Sequence, residues 1–211
     1  MLNEETAQKA KEILGDLQKK VKLITFTQEY ECTYCEQNRK LAEDMAGLSE
    51  KISHEEHDFE KSEELAEKFG IDKIPATVVA ADGNDVGIRF FGIPSGYEFV
   101  SLLNAIRIVS TGKHELSDDT LAKIEALDKP VHIQVFVTPT CPYCTKSVIL
   151  AHQLASVSKY IRADMVEAIE FPHLSQKYSV AGVPRSVVNE KVFIEGAVPE
   201  KIYVQRILDA V

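Results

Sequence analysis

The chain has 211 residues, 45% of them hydrophobic and 27% charged, an ordinary globular composition. That length holds one large domain or two of about 100 residues. The formal net charge of −9, with no basic stripe to neutralise phosphates, excludes a general nucleic-acid role.

The N-terminal stretch, MLNEETAQKAKEILGDLQKK, is charged throughout and has no apolar signal core, so it reads as an amphipathic helix over Glu4–Lys20. Apolar runs such as Ile133–Val137 fall far below the roughly 18 residues of a membrane span. The expected location is therefore the cytoplasm, with no membrane partner. Val21–Thr27 is short and rich in β-branched residues, the pattern of a buried strand. Cys32 and Cys35 follow it. Leu41, Met45 and Leu48 then recur at helical spacing over Glu36–Leu48. A strand over Ile52–Asp58 and a short helix over Ser62–Phe69 come next. Pro75 precedes a strand, Thr77–Ala80, and Asp82-Gly83-Asn84 marks a turn into a further strand. A helix over Glu98–Ile108 closes this half.

Ser117-Asp118-Asp119 caps a helix over Thr120–Leu127, and the same order begins again. It runs through a strand at Val131–Val137, the pair Cys141 and Cys144, and a helix over Val148–Val157. A strand at Met165–Ile169, a helix over Pro172–Tyr178, Pro184 and a strand at Ser186–Val188 follow. A turn at Asn189-Glu190, another strand and a helix over Lys201–Ala210 complete it. Each half thus reads β-α-β-α-β-β-α behind a leading helix. The fold class is α/β, with a mixed central sheet flanked by helices in each half.

The repetition extends to individual residues. Cys32 and Cys141, Cys35 and Cys144, Tyr34 and Tyr143, Leu65 and Leu174, and Pro75 and Pro184 all lie 109 residues apart. In both halves the proline lies 43 residues after the first cysteine. Farther on, Gly92 matches Gly196 and Phe99 matches Tyr203 at an offset of 104, as a shortened hairpin in the second half would produce. The period is too long for a solenoid repeat. It describes a duplicated domain, with units at 1–115 and 116–211.

Two tight cysteine pairs in a chain without an export signal point to redox chemistry, since cytosolic disulfides are usually transient and catalytic. A CxxC between strand and helix puts its first cysteine at the helix N-terminus, where free N–H groups and the macrodipole favour a thiolate. The thiolate is the nucleophile. Cys32 and Cys141 are therefore the expected nucleophiles, with Cys35 and Cys144 resolving the mixed disulfides. Ile74-Pro75 and Val183-Pro184 are the candidate substrate-binding loops. A cis bond there would leave the preceding backbone free to pair with an extended peptide. Tyr34 and Tyr143 read equally well as site residues or as packing.

The Cys141-Pro142-Tyr143-Cys144 motif behind Val135-Phe136-Val137-Thr138-Pro139-Thr140 resembles a glutaredoxin active-site loop. The paired units, with the run Phe90-Phe91-Gly92-Ile93-Pro94 and the segment Asp164–Pro172, resemble the glutaredoxin-like protein disulfide oxidoreductases of thermophiles. That resemblance implies two tandem thioredoxin folds, cis-Pro75 and cis-Pro184, and dithiol exchange on protein substrates without a bound cofactor. It also implies reduction by a flavin-dependent thioredoxin reductase and electron delivery to a peroxiredoxin. Thioredoxins keep a buried Asp six residues before the first cysteine, where this chain has Phe26 and Val135. Glutaredoxins use a Gly-Gly pair to hold glutathione, and none is present here.

The two sites differ in charge. Glu29, Glu31 and Glu36 flank Cys32/Cys35, whereas the 138–146 loop has no acid and one base, Lys146. Negative charge disfavours a thiolate, so Cys141 is expected to ionise more readily and its pair to be the more oxidising. Three alternatives compete. A zinc shared by all four cysteines is disfavoured by their separation, so no metal is expected. An electron-transfer module serving a flavin-dependent reductase and a peroxiredoxin resembles the layout, but such modules typically keep one CxxC, whereas both pairs survive here and no flavin-binding GxGxxG is present. A non-catalytic binder of unfolded protein is the third.

Overall fold

The computed structural model describes residues 2–211. The first half runs α1 (Glu4–Ile13), a 3-10 turn (Leu14–Asp16), β1 (Val21–Thr27), α2 (Cys35–Ala46), β2 (Ile52–Asp58), α3 (Glu63–Phe69), β3 (Ala76–Ala81), β4 (Ile88–Phe91) and α4 (Glu98–Thr111). The second runs α5 (Asp118–Glu125), β5 (Val131–Val137), α6 (Cys144–Val157), β6 (Ile161–Glu167), α7 (Pro172–Lys177), β7 (Arg185–Val188), β8 (Val192–Glu195) and α8 (Glu200–Leu208). The element order expected from the sequence is present twice.

β1 and β5 bury every residue except the second. Alternation divides those residues between two faces. Val21, Leu23, Val131, Ile133 and Val135 join the core under α1, α2, α4, α5, α6 and α8. Ile24, Phe26 and Phe136 join a second core under α3 and α7. Both cores contain residues of both halves, so the duplication folds as one body.

The reason lies in the sheet. All eight strands form one sheet in the order β2-β1-β3-β4-β6-β5-β7-β8. The halves meet where β4 pairs in parallel with β6, from Ile88↔Ala163 to Phe91↔Val166. Gly87, at φ +78°, opens this seam. A Cβ there would strike the Ile161 carbonyl, while the Ala163 N–H donates to the Gly87 carbonyl at 2.8 Å.

Several expected boundaries move, among them the start of α6, from Val148 to Cys144, and the end of α4, from Ile108 to Thr111. The fifth helix starts at Asp118, because the Ser117 side chain accepts from the Thr120 N–H. The first helix ends at Ile13 instead of continuing to Lys20, giving way to the 3-10 turn around Gly15, a poor helix residue. The strand expected at Met165–Ile169 instead spans Ile161–Glu167. Arg162 and Asp164 break its apolar pattern, yet Asp164 is fully buried. Burial alone would raise the Asp164 pKa, but His132 and Arg162, hydrogen-bonded at 2.6 and 2.8 Å, outweigh it and hold the carboxyl below its ordinary range.

Candidate redox sites

β1, β2, β4, β5, β6 and β8 point the same way, by the parallel and antiparallel pairings that join them. The segments carrying Cys32 and Cys141 leave the C-terminal ends of β1 and β5, so both sites open at one end of the sheet. Four strand spacings separate them, on the order of 19 Å across the hydrogen-bonding direction. In each site the second cysteine is the first residue of a helix, Cys35 of α2 and Cys144 of α6. The expected pairs are joined as disulfides, Cys32–Cys35 and Cys141–Cys144, each with Cα atoms 5.5 Å apart. The four sulfurs do not converge, which removes the shared-zinc reading.

The nucleophile candidates differ in access. Cys32 is half-buried and Cys141 is 8% exposed, while Cys35 and Cys144 are buried. At the second site the Cys144 backbone N–H donates to Cys141 Sγ at 3.1 Å. That is a free helix-terminal donor aimed at the sulfur, as thiolate stabilisation requires. Cys141 Sγ also lies 3.7 Å from the Val183 carbonyl oxygen. Both X–Pro bonds, Ile74-Pro75 and Val183-Pro184, are cis. Both prolines are buried, with Ile74 and Val183 half-buried. The geometry thus brings the cis-proline loop of the second unit against its cysteine pair. Tyr34 and Tyr143 cap α2 and α6 and are 37% and 65% exposed, so neither is a core packing residue.

The strand register corrects one expected equivalence. β1 and β5 begin 110 residues apart, at Val21 and Val131, whereas the cysteines lie 109 apart. Thr25, not Phe26, therefore stands where Val135 stands, and Phe26 stands at the place of Phe136. Thr25 is buried, with Oγ1 2.8 Å from His54 Nε2.

Sequence reading missed what the first unit contributes to the second site. The Tyr97 N–H donates to the Pro139 carbonyl at 3.0 Å, and Thr145 Oγ1 donates to the Tyr97 carbonyl at 3.1 Å. Gly96, at φ +59°, lies so close to Pro139 that a Cβ would collide with its carbonyl. Glu98 is 1% exposed and accepts from Thr145 Oγ1 at 3.3 Å, beside Cys144, and from Ser101 Oγ at 2.6 Å. Burial pushes its carboxyl above the ordinary range. An acid at the start of a helix ordinarily reads as a solvated first-turn residue, whereas this one is buried between Ser101 of its own helix and Thr145 of the other unit. Nearby in sequence, the Ile93 N–H donates to Glu170 Oε1 at 2.8 Å. Burial, with Glu167 close by, pushes Glu170 up to about 7.

Strand, CxxC, helix and cis-proline, twice over in one sheet, define a tandem thioredoxin-fold protein of the thioredoxin superfamily. Residues 131–209 match the thioredoxin domain family model. The whole chain is similar to a structure of the alkylhydroperoxide reductase AhpF from Enterococcus faecalis, with 29% identity, a TM-score of 0.91, and 98% of this chain and 99% of that one covered. It is also similar to a protein disulfide oxidoreductase from Aeropyrum pernix, with 26% identity, a TM-score of 0.86, and 98% and 92% covered. The corresponding alkyl hydroperoxide reductase polypeptide of Staphylococcus aureus is 24% identical over 93% of this chain and 36% of its own length. The chain spans about a third of the length of the curated relatives it matches. No described helix is long and apolar enough to cross a membrane.

Proposed function

We propose that the chain is a protein thiol–disulfide oxidoreductase working by dithiol exchange at Cys32/Cys35 and Cys141/Cys144. The observation that carries this reading is the second site, where a helix-terminal N–H and the carbonyl ahead of cis-Pro184 both face Cys141 Sγ. In the reduced protein the Cys141 thiolate attacks a substrate disulfide, forming a mixed disulfide and releasing one substrate thiolate. Cys144 then attacks Cys141 Sγ, the internal disulfide closes and the second substrate thiolate leaves. The backbone at Val183 aligns an extended substrate strand, and Tyr143 lies at its edge. Cys32, Cys35, Ile74, Pro75 and Tyr34 play the same parts in the first unit. The working units are 1–115 and 116–211, and the cytoplasm, where disulfides are transient, is the setting that suits them. At on the order of 19 Å apart, the pairs work independently unless a substrate bridges them.

A second reading is supported by the likeness to alkylhydroperoxide reductase AhpF over this chain's full length. There the chain would be an electron-transfer module, reduced by a flavin-dependent reductase such as thioredoxin reductase and reducing a peroxiredoxin.

Insulin reduction by Cys32→Ser and Cys141→Ser variants tests the first reading. Cys141→Ser is expected to lose about tenfold or more and Cys32→Ser about twofold, because the second thiolate is the better stabilised. Unchanged activity in the double variant would end the enzymatic reading.

A further inference from the structure

The first site opens into a cleft of about 630 Å³ with Cys32 and Cys35 in its wall. The end of β1 and the loop after it supply Thr27, Gln28 and Glu29, the end of β2 supplies Glu56 and Asp58, and the first two turns of α2 supply Glu36 and Arg39. Four carboxylates therefore face one guanidinium around an accessible disulfide. Arg39 is shared, 3.6 Å from Glu56 and 3.8 Å from Glu43. Two exposed lysines offset part of the charge, Lys40 at 2.5 Å from Glu36 and Lys61 at 3.3 Å from Asp58. The Lys40 contact holds the Glu36 carboxyl below its ordinary range, and the Lys61 N–H does the same for Asp58, so both are ionised at neutral pH. Glu29, and the exposed Glu31 next to Cys32, have no cationic partner among the described residues. The second site keeps its acids out of solvent: Glu167, which ends β6 as Asp58 ends β2, is buried, and burial raises its carboxyl above the ordinary range. The 138–146 loop carries no acid, Lys146 is exposed, and the carboxyl placed beside it, Glu98, is buried away from solvent.

We propose that the Cys32/Cys35 site selects polypeptide disulfides flanked by lysine or arginine, so that the two sites serve substrates of different charge. This rests on thiol–disulfide exchange at that site. The step balances within the pair and its substrate. The Cys32 thiolate attacks one substrate sulfur, the Cys32–substrate bond forms, the substrate S–S bond breaks, and the leaving thiolate takes a proton from water. The Cys35 thiolate then attacks Cys32 Sγ, the mixed disulfide breaks and the second substrate thiol is released. Two electrons pass from the cysteine pair to the substrate. A clustered charge of one sign in a concave wall raises the local concentration of oppositely charged ligand and its on-rate by roughly 10–1000-fold, and added salt removes the gain.

The experiment uses the full chain, reduced and freed of reductant, with Cys141→Ser/Cys144→Ser leaving the first site alone and Cys32→Ser/Cys35→Ser leaving the second. Each reacts in a single turnover with three peptides that share one disulfide and differ in flanking Lys-Lys, Gln-Gln or Glu-Glu. At about 20 mM salt the first site is expected to reduce the lysine peptide about tenfold faster than the glutamate peptide, and the second site less than about threefold. At about 500 mM salt the first-site ratio should fall toward one, and Glu29→Gln with Glu31→Gln should lower it at low salt. Equal rates on the lysine and glutamate peptides at low salt, with the glutamine peptide still reduced, would overturn charge selection alone. So would a ratio indifferent to salt. Failure of the first site to reduce even the glutamine peptide would instead overturn exchange at that site, and this proposal with it.

Discussion

Four residues, 28–31, join β1 to Cys32, and three, 138–140, join β5 to Cys141. The added residue is accommodated at Glu31, whose φ of +58° lies in the left-handed region. A non-glycine residue there costs of order 1–3 kcal/mol unless its surroundings compensate. The shorter second loop contains no such residue and is fastened from outside by Tyr97 and Gly96 of the other unit. One duplicated motif has thus diverged into an open site with exposed acids and a clamped one whose neighbouring acids, Glu98 and Glu167, are buried. The lesson is that a CxxC loop's reactivity depends on what packs on it as well as on its own four residues.

Gly96→Ala should break this comparison most strongly. The methyl group would collide with the Pro139 carbonyl and displace the loop before Cys141. We expect alkylation of Cys141 and reduction at the second site to slow by about tenfold, because small displacements of reacting groups are costly. Cys32 should react as before. An equal loss at both sites would mean that the clamp is general scaffolding.

Glu170→Gln sharpens the comparison at the junction. Glu170 ionises in the fold only near pH 7, above its ordinary value of 4.5. Its stabilising contribution is therefore complete below about pH 4.5 and is lost as pH rises through about 7. The glutamine variant should be more stable than the parent at pH 8, by about 1–2 kcal/mol after allowance for partial solvent screening. That advantage should shrink to nothing near pH 4, as read by thermal unfolding across pH. A pH-independent difference would place the cause in packing.

The smallest expected effect concerns thiolate formation. Iodoacetamide should label Cys141 at lower pH than Cys32, because a helix N–H faces the first and carboxylates surround the second. The gap should narrow in high salt, since exposed carboxylates are screened. Reversal of the order would remove the charge argument for unequal sites.

Much of this was legible in the sequence because it is local or repeated. β1, β2 and β5 form at their expected bounds, the expected order of elements recurs, and both prolines are cis. The fall in offset to 104 also holds, since β4 starts at Ile88 and β8 at Val192. What the sequence hid depends on distant partners. Nothing local in Ile88–Phe91 says that its free edge pairs with β6 rather than with water. Arg162 and Asp164 interrupt the apolar pattern until His132 of β5 supplies the third member of a network around the buried Asp164. Glu98 looks solvated until Thr145 of the other unit covers it.

The direction in which the units join has a wider consequence. Each contributes four strands in the same relative order, β2-β1-β3-β4 and β6-β5-β7-β8, so β4 meets the counterpart of β2 rather than another β4. This is translation, not twofold symmetry, and a head-to-tail contact leaves both terminal surfaces able to repeat it. In principle β8 of one molecule could receive β2 of the next, and the sheet could polymerise into a fibre. The outer strand β2 opposes that extension with charged residues, Glu55, Glu56 and Asp58, whose ion pairs to Lys22, Arg39 and Lys61 a new strand would disturb, and β8 is only 4 residues long. The seam that fuses two units into one body is thus copied at its ends in a form that resists fusing a third.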